Sequence, residues 1–245
     1  MKGRILGHCP GARIVDLTHE VTPFRTAEAA FWLERARQDF PAGTVHLAIV
    51  DPGVGTPRRI IAVRLDGQVL LGPDNGLLGN LAARAGAEVR AASAELLAGL
   101  HARPSSTFHG RDLFAPLAAR LAAGTLEFHK IGNVVRDAAP SALPAASPVP
   151  GGILGQVVLQ DRYGNIFSNI EISPKSLREA GVVRFGGHAL PCVRTYGEAG
   201  RGDCVALVNA FGVVEAACVE GNAADRLGLA VGDPVELRLP AGGRP

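Results

Sequence analysis

The chain has 245 residues, 47% of them hydrophobic and 20% charged, a balance that suits a globular protein with room for a large core. A formal net charge of +2, with only 5% aromatic residues and no basic run between aromatics, gives no case for nucleic acid as a partner. No apolar run reaches the length of a membrane span, and the opening MKGRILGHCPGAR lacks the apolar stretch of a signal peptide, so the expectation is a cytoplasmic protein with no membrane partner.

The four cysteines, Cys9, Cys192, Cys204 and Cys218, form no CxxC pair and no Cys/His ligand spacing. No metal site is expected, and in a reducing compartment the thiols should be free and mostly buried. In chain order, Met1 to Leu6 reads as the tail of a helix stopped by Gly7, Pro10 and Gly11, and Ala12 to Leu17 as a strand. A polar loop follows, with Phe24 stranded among turn residues, where it either staples the next helix or walls a pocket. Thr26 should cap a helix running to about Gln38, with Ala29, Trp32, Leu33 and Ala36 on its buried stripe.

The stretch VHLAIVDPGVGTPRR, Val45 to Arg59, then organises the first half. Val45 to Val50 reads as a strand buried on both faces of a parallel sheet. It ends at Asp51, turns through Pro52-Gly53-Val54-Gly55, and is followed by Arg58 and Arg59. An acid at the carboxyl end of a central strand, beside a glycine turn and a cation, is where open α/β sheets bind ligands. The alternative is that Asp51 only orders the turn.

Ile60 to Leu65 and Gln68 to Leu71 flank Asp66-Gly67, a hairpin pattern, and Gly72-Pro73-Asp74-Asn75-Gly76 turns into a helix from Leu77 to about Ala85, capped by Asp74 or Asn75. Glu95 to Ala102 is helical by pattern. Thr107-Phe108-His109-Gly110-Arg111-Asp112 opens a helix to about Ala123. There the helix dipole favours a neutral His109, which can accept a proton as a general base does or merely bond the turn, while Asp112 reads as an N-terminal helix charge.

Residues 138–152, AAPSALPAASPVPGG, read as an interdomain linker between an α/β domain (1–137) and a second domain (153–245). In the latter, Ile153 to Gln160, Val182 to Phe185, Cys204 to Asn209, Val213 to Val219 and Val235 to Leu239 are short strands between glycine turns, the pattern of a small antiparallel barrel or sandwich. Asp161, Asn165 and Phe167 share one turn, and Gly221-Asn222-Ala223-Ala224 opens a short helix. No internal repeat and no GxGxxG fingerprint occurs.

Together, DPGVGTPRR (51–59), GPDNGLL (72–78), TFHGRDLFAP (107–116), DRYGNIFSNI (161–170) and EGNAA (220–224) resemble the S-adenosyl-L-methionine hydroxide adenosyltransferases, relatives of the fluorinases and chlorinases. The resemblance implies an α/β, sandwich-like first domain with a mostly parallel sheet, joined to an antiparallel β-barrel. It implies a homotrimer, with each site between the first domain of one subunit and the second domain of its neighbour. The catalytic set falls on Asp51, Arg58 and His109, with Phe24 and Phe108 walling the substrate. Asp161, Asn165 and Phe167 fall where methionine and adenine are held, and Asn222 and Ala223 where the adenine edge is read.

The implied reaction is hydrolysis of S-adenosyl-L-methionine to adenosine and L-methionine, with no cofactor. The sulfonium is already a good leaving group, so the nucleophile is what needs help: water, with a pKa of about 15.7, supplies almost no hydroxide. Arg58 would stabilise the developing hydroxide, while Asp51 and His109 orient the water and relay its proton. Halide transfer fits less well, because Gly110 replaces a halide-contacting serine and Asp51 adds negative charge.

Two departures from the family pattern stand out. The family opens with a strand and a Thr-Asp-Phe-Gly-type segment whose acid grips the ribose, ahead of a helix ending Met-Lys-Gly, whereas this sequence starts at Met1-Lys2-Gly3. A start at an internal methionine and a truly short chain both remain open; a short chain leaves a bare sheet edge and costs about 1–3 kcal/mol per unpaired ribose hydroxyl. Ala210 stands where a serine is usual near the methionine carboxylate. A nucleoside-binding or structural protein without turnover is therefore the alternative of a different class.

Overall fold

The computed structural model describes residues 1–239; residues 240–245 of the expected second domain lie outside the described residues. The chain divides into two compact units, Met1–Leu143 and Pro144–Pro245, the division falling inside the proline-rich stretch.

The first unit runs α1 (Lys2–His8), α2 (Thr26–Ala36), β1 (Val45–Leu47), β2 (Ile60–Leu65), β3 (Gln68–Pro73), α3 (Gly79–Ala82), β4 (Glu88–Ala91), α4 (Ala94–Leu100) and α5 (Ala115–Ala122). Its sheet has the order β1-β3-β2-β4. Only β1 and β3 are parallel, so the sheet is mixed rather than mostly parallel. The cause is local: Asp66 and Gly67 take φ of 50° and 73°, the primed turn that folds β2 directly back onto β3. Strand β4 carries too little apolar pattern to be read beforehand.

Strands β2 and β3 are covered on both faces, which is why their sequences are almost continuously apolar. Ile61, Val63 and Leu70 pack with Ala29 and Leu33 of α2 and Leu81 of α3. Ile60, Ala62 and Leu71 pack on the other side with Leu113, Phe114 and Leu117. Full burial of each large side chain is worth about 1.5–3 kcal/mol, so this three-layer core holds the sheet ends in place.

Several expectations need correction. Residues 12–17 join no sheet among the described residues, because a strand-like sequence makes a strand only where a neighbour can pair with it. A hollow of about 1170 Å³ is walled by this segment and by residues 43–51. β1 is accordingly an edge strand of three residues, only half-buried at Val45 and Leu47, not a strand covered on both faces. In α2, Arg25 rather than Thr26 is the cap, without a side-chain bond, and Phe31 takes the core place expected of Trp32, which walls the hollow.

The second unit contains β5 (Ser147–Val149), β6 (Gly152–Gln160), β7 (Ile166–Glu171), α6 (Pro174–Ala180), β8 (Val182–Phe185), β9 (His188–Pro191), β10 (Cys204–Val208), β11 (Val213–Cys218), α7 (Ala223–Leu227) and β12 (Pro234–Arg238). Seven strands follow the order β10-β11-β7-β6-β12-β8-β9 with antiparallel pairing throughout, and β5 pairs β6. A bridge between Cys192 and Ala206 brings the two ends of the sheet together, so the barrel is nearly closed. Its interior is filled by Ile153, Val157, Ile170, Phe185, Val214 and Val235.

Cys204 and Cys218 face each other directly in the β10/β11 register and form a disulfide, leaving Cys9 and Cys192 free. This corrects the expectation of four free thiols. The pairing is a product of strand register, which the separation of 14 residues does not reveal. Among the described residues no helix is long and apolar enough to cross a membrane.

Candidate active site

Three polar side chains meet at the carboxyl end of β1. The Arg58 Nε lies 2.7 and 2.8 Å from the two oxygens of Asp51, and an Arg58 terminal nitrogen also bonds Asp51 Oδ2. The same terminal nitrogen lies 3.1 Å from His109 Nδ1. The Asp51 and Arg58 side chains are only 6% and 9% exposed, so their pairing is strengthened by exclusion of water. Asp51, Phe108, His109 and Gly110 wall the hollow beside β1.

The sequence builds this constellation through backbone contacts. Gly55 has a φ of +82°, and a Cβ there would lie 2.7 Å from the Ser106 carbonyl oxygen. Only glycine lets the Asp51 turn approach the loop that carries His109. That loop is braced from beneath by Asp112, which is buried, pairs with Arg111 and accepts from the Ser105 N–H at 2.9 Å. Arg111, and then the Ser105 N–H, hold the Asp112 carboxyl well below the usual carboxylate range. Asp112 is thus a loop brace and not merely a charge at a helix start. The segment after His109 is a π-helical turn, Gly110–Phe114, before α5.

Arg59 has a different job from Arg58. It donates to Asp74 at 2.6 Å and to the side chain and carbonyl of Asp137 at 2.8 and 2.7 Å. Asp74 also accepts from the Ala139 N–H at 2.8 Å, so it is a clamp residue and not a helix cap. Asn75 donates to the Val50 carbonyl at 2.8 Å, fixing the strand end next to Asp51. The GPDNG turn therefore supports the site from behind.

The contact to His109 determines its tautomer. A guanidinium can only donate, so Nδ1 must accept, and the neutral ring carries its proton on Nε2. Burial and then the Arg58 charge push the His109 pKa below its ordinary 6.5. His109 is neutral, as expected, but its outward nitrogen offers a hydrogen bond instead of taking a proton.

Phe108 is 45% exposed on the rim. Phe24 is not among the walls of the hollow; it is 75% exposed, with a φ of 67°, an unusual conformation for an aromatic residue. The second unit gathers the other five sequence candidates. Asp161 accepts from the Tyr163 and Asn165 N–H groups at 2.8 and 3.0 Å and from the Asn165 side chain at 3.0 Å. Gly164, at φ +83°, leaves no room for a side chain beside Asn222, and the Ala224 N–H bonds the Gly164 carbonyl at 3.0 Å. Asn222 caps α7 through the Asp225 N–H, Ala223 is fully buried, and Phe167 is buried 6.2 Å from the Phe211 ring. Phe211, Tyr196 and Glu215 beside this cluster escaped the sequence reading because they lie in separate segments with no motif between them. Among the described residues no group of three or more His, Cys, Asp or Glu is placed to hold a metal ion.

Two family models match the chain: the SAM hydroxide adenosyltransferase N-terminal domain over residues 1–132 and the corresponding C-terminal domain over residues 155–236. The chain belongs to this family. A relative from Salinispora tropica, named (R)-S-adenosyl-L-methionine hydrolase, is 39% identical over 95% of this chain and 88% of its own length. A protein of the same name from Thermus thermophilus is 38% identical over 97% and 92%. A fluorinase from an Actinoplanes species is more distant, 30% identical over 86% and 82%. The crystal structure of an uncharacterized conserved protein from Thermotoga maritima superposes with a TM-score of 0.84 at 31% identity, covering 97% of this chain and 93% of that one.

The Asp51–Arg58 pair yields a stability test. Arg58→Met strands a buried carboxylate and should cost about 3–5 kcal/mol. Asp51→Asn combined with Arg58→Met should recover most of that loss, because neither charge is then left alone. Thermal melts of the single and double variants measure the difference, and equal melts would contradict the buried pairing.

Proposed function

We propose that this family member hydrolyses S-adenosyl-L-methionine to adenosine and L-methionine, with Asp51, Arg58 and His109 as its catalytic residues. The observation that carries the reading is that Arg58 bonds both Asp51 and His109, two residues that wall one hollow. The names of the relatives at 38–39% identity support it.

In this reading a water molecule sits behind C5′, in line with the C5′–S bond. Arg58 and the His109 Nε2–H stabilise the charge that grows on its oxygen. Asp51, whose oxygens retain lone pairs beyond those used by Arg58, accepts a hydrogen bond from the water and takes its proton. The water oxygen bonds to C5′ as the C5′–S bond breaks, and the electron pair neutralises the sulfonium as methionine sulfur. The proton then passes to solvent. Neither metal nor cofactor is called on, since the leaving group needs no activation.

We read Phe24 and Phe108 as walls for the substrate, and Asp161, Asn165, Phe167, Asn222 and Ala223 as its methionine- and adenine-holding set. The working form is a homotrimer in the cytoplasm, each site combining the first unit of one copy with the second unit of its neighbour. Exposed aromatics at both half-sites, Phe24, Phe108 and Phe211, support that closure. Gly110 argues against halide transfer, because it brings no hydroxyl to the place beside His109.

Incubation with S-adenosyl-L-methionine in ¹⁸O-water should yield adenosine labelled at its 5′-oxygen, seen by mass spectrometry. Retained ligand binding with no adenosine would point to a nucleoside-binding protein, and a 5′-halo-adenosine in chloride to halide transfer. The acid limb of the rate should have its midpoint below the ordinary histidine value of 6.5, because protonated His109 would set two donors against each other at Arg58 and its pKa is already lowered. An acid limb above the ordinary histidine range would contradict the tautomer. Co-expressed His109→Ala and Asn165→Ala chains, each nearly inactive alone, should regain activity in mixed trimers; no recovery would mean the site lies within one copy.

A further inference from the structure

One buried acid in the second unit has no part in the proposed chemistry. Glu215, on β11, is 2% exposed. Its two oxygens accept from different donors: the Tyr196 hydroxyl at 2.6 Å and the Asn209 side-chain amide at 3.1 Å. No Lys or Arg pairs with it among the described residues. A carboxylate taken out of water without a cation is costly, so its retention asks for a reason.

The reason follows from what Asn209 does with its other end. The Asn209 Oδ1 accepts from the Phe211 N–H at 2.9 Å and from the Val213 N–H at 3.3 Å, holding the turn of residues 209–212 between β10 and β11. That turn presents the Phe211 ring to Phe167, which stands directly opposite Glu215 in the β11/β7 register. Backbone bonds from the Asn209 N–H to the Val213 carbonyl and from the Gly212 N–H to the Asn209 carbonyl, both 3.0 Å, close the same turn, while on its β7 side the register shifts between Val213 and Glu215. Burial raises the Glu215 pKa, the bonds from Tyr196 and Asn209 lower it, and the charge of Asp161 raises it further.

We propose that Glu215 is a positioning residue that locks the 209–212 turn through Asn209, and thereby fixes the Phe167–Phe211 aromatic wall against which the substrate packs. The role rests on the S-adenosyl-L-methionine reading for its effect on substrate, but the lock itself does not. Glu215 touches none of the reacting atoms, so its loss should weaken substrate binding and spare the chemical step.

Three variants test this. Glu215→Ala removes both acceptors. Glu215→Gln keeps one acceptor for Asn209 and can donate to the Tyr196 oxygen, so it should stay near wild type. Asn209→Asp keeps the oxygen that caps Phe211 and Val213 and replaces the donor that faces Glu215 by a second carboxylate oxygen, which breaks the bond and adds repulsion; it carries the test should Glu215→Ala not fold. Hydrogen exchange at the Phe211 and Val213 amides should quicken by about tenfold or more in Glu215→Ala and Asn209→Asp, while β12 amides keep the wild-type rate. KM for S-adenosyl-L-methionine should rise about tenfold in the same two variants with kcat within about twofold. Unchanged exchange at both amides, or a fall in kcat with KM unmoved, overturns the proposal. If the wild-type chain makes no adenosine, the reading of the function fails, and the exchange measurement still decides the lock.

Discussion

The ion pair between Arg58 and Asp51 is the constraint on which the first unit turns. Two side chains that are less than one-tenth exposed have given up most of their hydration, and bidentate contact with good geometry is what offsets that cost. Such geometry requires the backbone to be held on every side. Gly55 allows the close approach of the Ser106 carbonyl, Asp112 braces the His109 loop, and Arg59 with Asp74 clamps the segment behind. These supports lie on three separate turns that only the packed sheet brings together. A surface ion pair would need none of them.

The second unit follows the same logic with neutral partners. Asp161 folds its own turn by accepting three hydrogen bonds, and Gly164 lets that turn sit against the Asn222 cap of α7. The two loops that carry the remaining candidates are thus one object, rigid because each satisfies the backbone groups of the other. The residues between them, Tyr196 and Glu215, add a buried hydrogen-bond network to the same end of the barrel.

What the sequence disclosed was the chemistry of short segments. The Asp66-Gly67 hairpin, the five barrel strands, and the grouping of Asp51 with Arg58 all follow from local pattern, since each depends on residues within one turn or one strand. What it withheld depends on partners distant along the chain. Residues 12–17 carry a strand pattern and pair with no strand among the described residues. Trp32 shares a helical stripe with Leu33 yet is only half-buried and walls a hollow. Asp74 sits where a cap would, but Arg59 reaches it first. Cys204 and Cys218 meet only because β10 and β11 align in one register and not another. The role of Gln68, which takes part in a buried network with Arg37, was likewise invisible in a strand of apolar residues.

The geometry also changes the reason for preferring water over a halide. Bare repulsion by Asp51 is a weak argument once Arg58 neutralises it, for the pair presents little net charge. The discriminating property is hydrogen-bond sign. The His109 Nε2–H is a donor, welcome to either nucleophile, but the lone pairs left on Asp51 need a proton to receive. Water brings two protons and satisfies them; a halide brings none and would leave a carboxylate edge facing an anion with no compensating bond. An active site built for a halide should show donors on every side, as from serine hydroxyls and backbone amides. A site with one fixed acceptor among its donors is suited to a nucleophile that must lose a proton as it attacks.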